Sequence, residues 1–242
     1  CKGIRVKSIT NKIALMLIVA LCLYFAAFSA ASYYTAQNKT VELVIQTQRQ
    51  ILKDVKGVID TFFDENLEYV KKSSAVIDEL QSGDEIMNFV LLEKKISNSI
   101  ITYVYYGDED GRFFQSDGKR TTVADKYDPR TRGWYKSTKE KNKEIYTEPR
   151  VTSTNDLVIT FTAPVIKNGK FEGVFGIDID IKKLSDKILD IGKIKEGGYA
   201  YIMKKDGTML ISDIASEVGT ILPATKVVSE KYNNKEFDEN GL

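Results

Sequence analysis

LVITFTAPVIKNGKFEGVFGIDIDI, residues Leu157 to Ile181, is the stretch that decides how this chain folds. Leu157–Ile166 and Phe171–Ile181 are rich in β-branched and aromatic residues, which suit a pleated, half-buried surface. Between them lies Lys167-Asn168-Gly169-Lys170. Asn-Gly supplies the two left-handed residues that a type I′ hairpin turn requires. An antiparallel hairpin is therefore expected here. Working upstream, Ile145–Thr152 reads as a further strand, joined to Leu157 by a Thr154-Asn155-Asp156 turn. Earlier still, Ile100–Tyr106 and Arg112–Gln115 flank the turn Gly107-Asp108-Glu109-Asp110-Gly111, a second hairpin. The polar segment Ser116–Lys143 holds a short helix begun by Asp128-Pro129, with proline suited to a first helical position. Downstream, a helix is expected over about Lys182 to Ile191.

Beyond that helix, Tyr199–Met203, a Lys205-Asp206-Gly207 turn and Thr208–Ser212 repeat the pattern of aromatic strand, acidic-glycine turn and strand. A second unit of the same α+β type is expected to begin here. The remaining stretch is too short to bury a core of its own, and the chain starts at Cys1, so it reads as a fragment.

The N-terminal third is helical in character. Ile13 to Tyr34 carry no charge and supply the ~20 apolar residues a bilayer core needs. Lys2, Arg5, Lys7 and Lys12 precede this run, and no acid appears until Glu42. Residues 1–12 are thus expected in the cytoplasm, 13–34 across a membrane, and the rest outside. A cleaved signal peptide ending near Ser29-Ala30-Ala31 is the alternative, but the apolar run is long for one. From Gln37 to Leu80 there is no proline, and Val41, Val44, Ile51, Val55, Val58, Phe62 and Tyr69 follow a three/four spacing. A stalk helix of ~65 Å is expected at 1.5 Å per residue, with a break at Gly57 as the alternative. Its apolar seam makes a homodimer plausible. Gly83-Asp84 ends it, and Asp84 is read as the cap of a second helix reaching about Ser99.

Composition excludes several functions. The chain has 35 basic and 34 acidic residues, so it lacks the cationic excess of a nucleic-acid binder. It has no histidine and two cysteines, Cys1 and Cys22, which argues against catalysis, a zinc site or a disulfide framework. No cofactor is expected. The acids Asp108, Glu109 and Asp110 are more simply a solvated turn than a calcium site, and Asp178 with Asp180 lacks partners for one.

One constellation remains. Tyr127-Asp128-Pro129-Arg130-Thr131-Arg132-Gly133-Trp134-Tyr135 is followed by Thr147-Glu148-Pro149-Arg150-Val151 and then Gly173-Val174-Phe175-Gly176-Ile177-Asp178. It places a fixed cation, two aromatics and an acid around a short helix and the sheet. Arg132 offers a planar fork for a carboxylate, and Trp134 and Tyr135 add apolar walls with polar tips. No activated nucleophile is visible, so the expectation is a pocket for a small polar metabolite. The plainer reading is a surface helix whose tryptophan packs into the core.

The order of elements, over nearly the whole chain, resembles the double Cache (dCache) sensor domain of bacterial methyl-accepting chemotaxis proteins. The motif Tyr-x4-Arg-x-Trp-Tyr, Glu-Pro, Gly-x-x-Gly-x-Asp is similar to that family's pattern for binding free α-amino acids. The resemblance implies an α+β, PAS-like antiparallel-sheet architecture. Flanking helices would span 35–99, a membrane-distal ligand module 100–192, and the start of a proximal module 193–242. It further implies that Arg132 and Trp134 hold a ligand carboxylate while Tyr127, Tyr135 and Asp178 line the pocket, Asp178 meeting the amino group. Two positions depart from the pattern. Arg150 stands where the amino-acid binders usually have tyrosine, and Thr152 where they often have aspartate. A guanidinium there would disfavour an ammonium, so the expected ligand is a small carboxylate: an organic acid such as a hydroxy acid, keto acid or dicarboxylate. An amino acid is the close alternative, because Asp178 remains. Arg150 turned outward as a solvated strand residue is the other reading of that position. The resemblance implies a chemotaxis receptor acting with a kinase and a coupling protein through a cytoplasmic part beyond this chain. The same sensor feeding a histidine kinase or diguanylate cyclase, or a secreted solute-binding protein, are the alternatives.

Overall fold

An apolar, proline-free N-terminal sequence folds as one helix, α1 (Ile9–Glu79), in the computed structural model, which describes residues 9–152, 156–192, 202–204, 206–212, 214–217 and 220–233. Lys2, Arg5, Lys7, Thr154 and Asn155 of the expected turn, Lys205, and residues 199–201 of the expected strand lie outside the described residues. Contacts divide the chain into two units, residues 1–52 and 53–241.

The first unit holds the N-terminal part of α1. It contains a stretch long and apolar enough to cross a membrane. Its large side chains, among them Leu17, Leu21 and Phe25, are exposed.

In the second unit α1 runs past Gly57 without a break. Helix α2 (Gly83–Ile96) follows, and here the structure corrects the expected cap. Ser82, not Asp84, has the extended backbone that a cap needs. Its Oγ accepts the Glu85 N–H at 3.2 Å, and the Glu85 carboxylate accepts the Ser82 N–H at 3.0 Å. Asp84 lies two residues beyond the cap, inside the first turn, and pairs with Arg120 instead. Ser82→Ala should cost about 1 kcal/mol of stability, read as a lower urea midpoint with an unchanged slope.

The sheet is built from β1 (Ile101–Asp108), β2 (Phe113–Gln115), β3 (Arg120–Thr121), β4 (Ile145–Tyr146), β5 (Arg150–Val151), β6 (Leu157–Lys167) and β7 (Lys170–Asp180). Between β3 and β4 lies helix α3 (Gly133–Lys141), preceded by a short turn of helix at Pro129–Thr131. Every pairing is antiparallel, in the order β3-β2-β1-β7-β6-β4, with β5 also on β6. At the β6–β7 turn Asn168 and Gly169 have φ of 52° and 76° and Lys167 pairs with Lys170, which matches the hairpin expected from Asn-Gly. Helix α4 (Ile181–Gly192) follows β7. Then come the separate two-stranded hairpin β8 (Ile202–Met203) and β9 (Met209–Ile211), and helix α5 (Pro223–Asn233).

Strand alternation sorts the sheet residues between two faces. Phe161, Phe175, Ile177 and Ile179 point toward α1 and α2, where Val70, Ile77, Met87 and Val90 complete the larger core. The opposite face carries a smaller aromatic cluster of Tyr105, Phe113, Trp134, Tyr135 and Val174. The site lies on that second face.

The segment expected as one strand, Ile145–Thr152, is two pieces, and the reason is local. The Thr147 N–H donates to the Thr160 carbonyl at 2.8 Å, but the Thr160 N–H donates to the Thr147 hydroxyl rather than to a backbone carbonyl. Pro149 then has no N–H to offer. Tyr146 pairs with Phe161 and Arg150 with Val158, so one extra residue is inserted into this edge. A one-residue shift exchanges the faces of a strand. Arg150 is thereby turned to the same face as Val158, Thr160 and Thr162.

Candidate functional site

A cavity of about 760 Å³ opens on the aromatic face of the sheet. Strands β1, β2 and β7 line its floor, α3 forms one wall, and the edge from Ile145 to Thr152 the other. Six of the seven residues singled out from the sequence line it: Tyr127, Arg132, Trp134, Arg150, Thr152 and Asp178. Tyr135 does not. Its ring is buried against Trp134 and Phe171, and its hydroxyl donates to Glu109 at 2.7 Å. Adjacent residues of a helix point about 100° apart, and here Trp134 takes the direction of the cavity while Tyr135 turns to Phe171 and Glu109.

The helix-initiating segment separates two arginines. Arg130 is bound to Asp128 through Nε and Nη2, each at 2.9 Å, and to the Glu109 carbonyl. It is a structural clamp. Arg132 occupies the N-cap of α3, has no acidic partner among the described residues, and lies over the Tyr127 ring at 4.6 Å from its centre. The positive end of the α3 dipole sits at the same place. Tyr127 in turn packs on Phe113 at 4.7 Å. Lys119 approaches the Tyr127 ring at 5.9 Å.

Asp178 is 3% exposed, so its charge needs partners. Its Oδ1 accepts from Tyr105 Oη at 2.9 Å, Thr160 Oγ1 at 2.7 Å and Arg150 Nη2 at 2.8 Å. The same guanidinium reaches Oδ2 at 3.0 Å, and Arg150 Nε donates to Thr160. Burial pushes the Asp178 carboxyl above its ordinary value, against the opposing pull of Arg150, Thr160 and Tyr105. Burial and the Asp178 charge also hold the Tyr105 hydroxyl well above its ordinary value, keeping it a neutral donor. Asp178, expected to meet a ligand amino group, is paired with Arg150 here. Its carboxylate is occupied from within the protein.

Several residues escaped the sequence reading. Tyr105 reaches Asp178 because its cross-strand partner is Gly176, where a Cβ would stand 2.6 Å from the ring. The Gly-x-x-Gly-x-Asp spacing held that signal, but only strand register shows which ring fills the space. Lys119 and Lys141 line the cavity, and nothing in their local sequence marks them. The acidic turn is consumed internally. Asp108 and Asp110 pair with Arg112, and Glu109 meets Tyr135 and Lys139. Those contacts outweigh the burial of Glu109 and hold its carboxyl below the usual range.

Comparison with known proteins adds the following. The family model described as a Cache domain, dCache_1, matches residues 30–241. The methyl-accepting chemotaxis protein PscA of Pseudomonas syringae pv. tomato is 37% identical over 109 residues, 44% of this chain and 17% of that protein. McpB of Bacillus subtilis, another methyl-accepting chemotaxis protein, is 28% identical over 214 residues, 85% of this chain and 30% of the relative. The chain thus spans less than a third of the length of either. Among solved structures, the ligand-binding domain of the Pseudomonas aeruginosa amino acid chemoreceptor PctC, in complex with GABA, superposes with a TM-score of 0.61 at 20% identity, covering 72% of this chain and 79% of that one. The sensory domain of the Campylobacter jejuni chemoreceptor Tlp3 with isoleucine bound superposes with a TM-score of 0.63 at 19% identity, covering 83% and 82%. At such identities the superpositions establish the fold.

Proposed function

We infer what this chain does from one premise: it belongs to the double Cache family of domains. The function proposed is ligand sensing outside the bacterial inner membrane, as part of a methyl-accepting chemotaxis receptor. Helical residues 13–34 would anchor it, residues 100–192 would hold the ligand, and residues 193–242 would open a second module. The ligand is a small carboxylate, an organic acid or an amino acid.

One observation carries this reading. Arg132 stands at the N-terminus of α3, above an aromatic ring and beside a cavity, with no acid of its own among the described residues. A guanidinium in that position is a carboxylate receptor awaiting its anion. GABA and isoleucine, the ligands of the two related sensory domains, both contain a carboxylate. The receptor assignment is supported by relatives that are methyl-accepting chemotaxis proteins over most of this chain's length. Signalling would follow from population shift: a ligand that binds one arrangement of the cavity walls more tightly biases the helix leading to the membrane. Coupling to a kinase would occur through parts of the receptor beyond this chain.

Isothermal titration of the detergent-solubilised chain against amino and organic acids tests the site. Arg132→Ala should weaken the tightest-binding acid by about tenfold to a hundredfold, the loss of charge-assisted hydrogen bonds, and Arg132→Lys should recover part of it. Undiminished binding by Arg132→Ala would overturn the assignment.

A further inference from the structure

We propose that the cavity selects a ligand with two carboxylates, Arg132 and its neighbours receiving one and Arg150 the other. This deepens, and rests on, the carboxylate-binding function proposed above. Charge is unevenly distributed around the cavity. Among the described lining residues Lys119, Arg132, Lys141 and Arg150 are cationic, and Glu148 and Asp178 are anionic.

Both acids are engaged. Glu148 pairs with Lys204, and Asp178 is held by Arg150, Tyr105 and Thr160. A ligand ammonium would have to enter beside a guanidinium that already lies 2.8 Å from the enclosed carboxylate. Like charges repel strongly where water screens them poorly. An ammonium would therefore meet no uncompensated acid in the cavity.

The cations are differently placed. Lys119 and Arg132 share the Tyr127 ring, and neither they nor Lys141 have an acidic partner among the described residues. Arg150 uses Nε on Thr160 and Nη2 on Asp178. A guanidinium has five N–H donors, and Nη1 makes no bond among the described residues. One carboxylate answers the Arg132 centre alone, whereas a second, carried on the same molecule, also answers Arg150. Tyr103, Tyr105, Phe113 and Trp134 offer apolar surface to the carbon chain between them, which a bare inorganic dianion could not use.

Titration of the detergent-solubilised chain with succinate, glutarate, succinamate, butyrate and aspartate decides the matter. A dicarboxylate should bind about tenfold more tightly than succinamate or butyrate, which lack the second charge. Aspartate, which adds an ammonium to succinate, should bind more weakly than succinate. Arg150→Gln should erase the preference for the dicarboxylate, read as the ratio of succinate to butyrate affinity within that variant. Should that variant fold poorly, Asp178→Asn keeps Arg150 and removes the charge that neutralises it, so succinate should bind more tightly than to the parent. Equal binding of succinate and succinamate, stronger binding of aspartate, or no binding of either dicarboxylate overturns the proposal. Monocarboxylate binding that still depends on Arg132 would leave the simpler carboxylate function standing, so the two can fail separately.

Discussion

Arg150→Ala is expected to destabilise the second unit by about 3 kcal/mol, because it strands a buried carboxylate. Asp178 would keep Tyr105 and Thr160 as hydrogen-bond partners but lose its counter-charge. The figure sits at the lower end of what broken buried pairs cost, since the Arg150 side chain is 33% exposed and water can partly take its place. Removing both charges tells a different story. In Arg150→Gln/Asp178→Asn no uncompensated ion remains, so most of the stability should return and the cycle should be strongly non-additive. The pH dependence has a definite sign. Burial already raises the Asp178 carboxyl, and Arg150 is among the groups pulling it back down. Without Arg150 it rises further. A carboxyl raised in the folded state contributes stability that is complete below its unfolded pKa and is lost as pH rises through the folded value. The deficit of Arg150→Ala should therefore shrink on moving from neutral to mildly acidic pH. Thermal melts of the single and double variants across that window would check it; a deficit that grows on acidification contradicts the pairing.

Phe161→Ala should cost still more, about 4 kcal/mol. Phe161 is fully buried and lies on the face of β6 turned from the cavity. Its ring meets Phe62 edge-on at 6.2 Å, Phe63 at 5.3 Å and Tyr146 at 5.9 Å. With Phe175, which meets Tyr69, it seats α1 on the sheet. Three aromatic neighbours leave little room for collapse into the void, because each is itself held by helix or strand, and poor relaxation places a truncation at the costly end of the range. A urea melt followed by tryptophan fluorescence would report it, since Trp134 is the single tryptophan of the chain and is itself in the fold. A loss below about 1 kcal/mol would mean that the helix is not packed on the sheet as described.

Legibility followed the range of the interactions involved. Asn168-Gly169 could be read as a hairpin because a type I′ turn is a property of two residues. The apolar helix and the main strands were likewise visible in composition and period. The Ser82 cap was written plainly as Ser-x-x-Glu, and was missed in favour of an acid two residues on. Arg132, Trp134 and Tyr127 could be named because a short motif puts them on one turn of chain. Tyr135 could be named by the same motif but not aimed, since its direction depends on which side of α3 meets the sheet.

What no local pattern held was pairing across strands. The residue inserted at Glu148-Pro149 turns Arg150 into the cavity, and Gly176 clears the space in which Tyr105 reaches Asp178. Sequence by itself determined the elements and the guanidinium that begins α3, because helix, turn and strand preferences act between near neighbours. Tertiary structure alone decided that Asp178 is already satisfied by Arg150, because the register joining β5, β6 and β7 is a property of segments brought together only when the sheet closes.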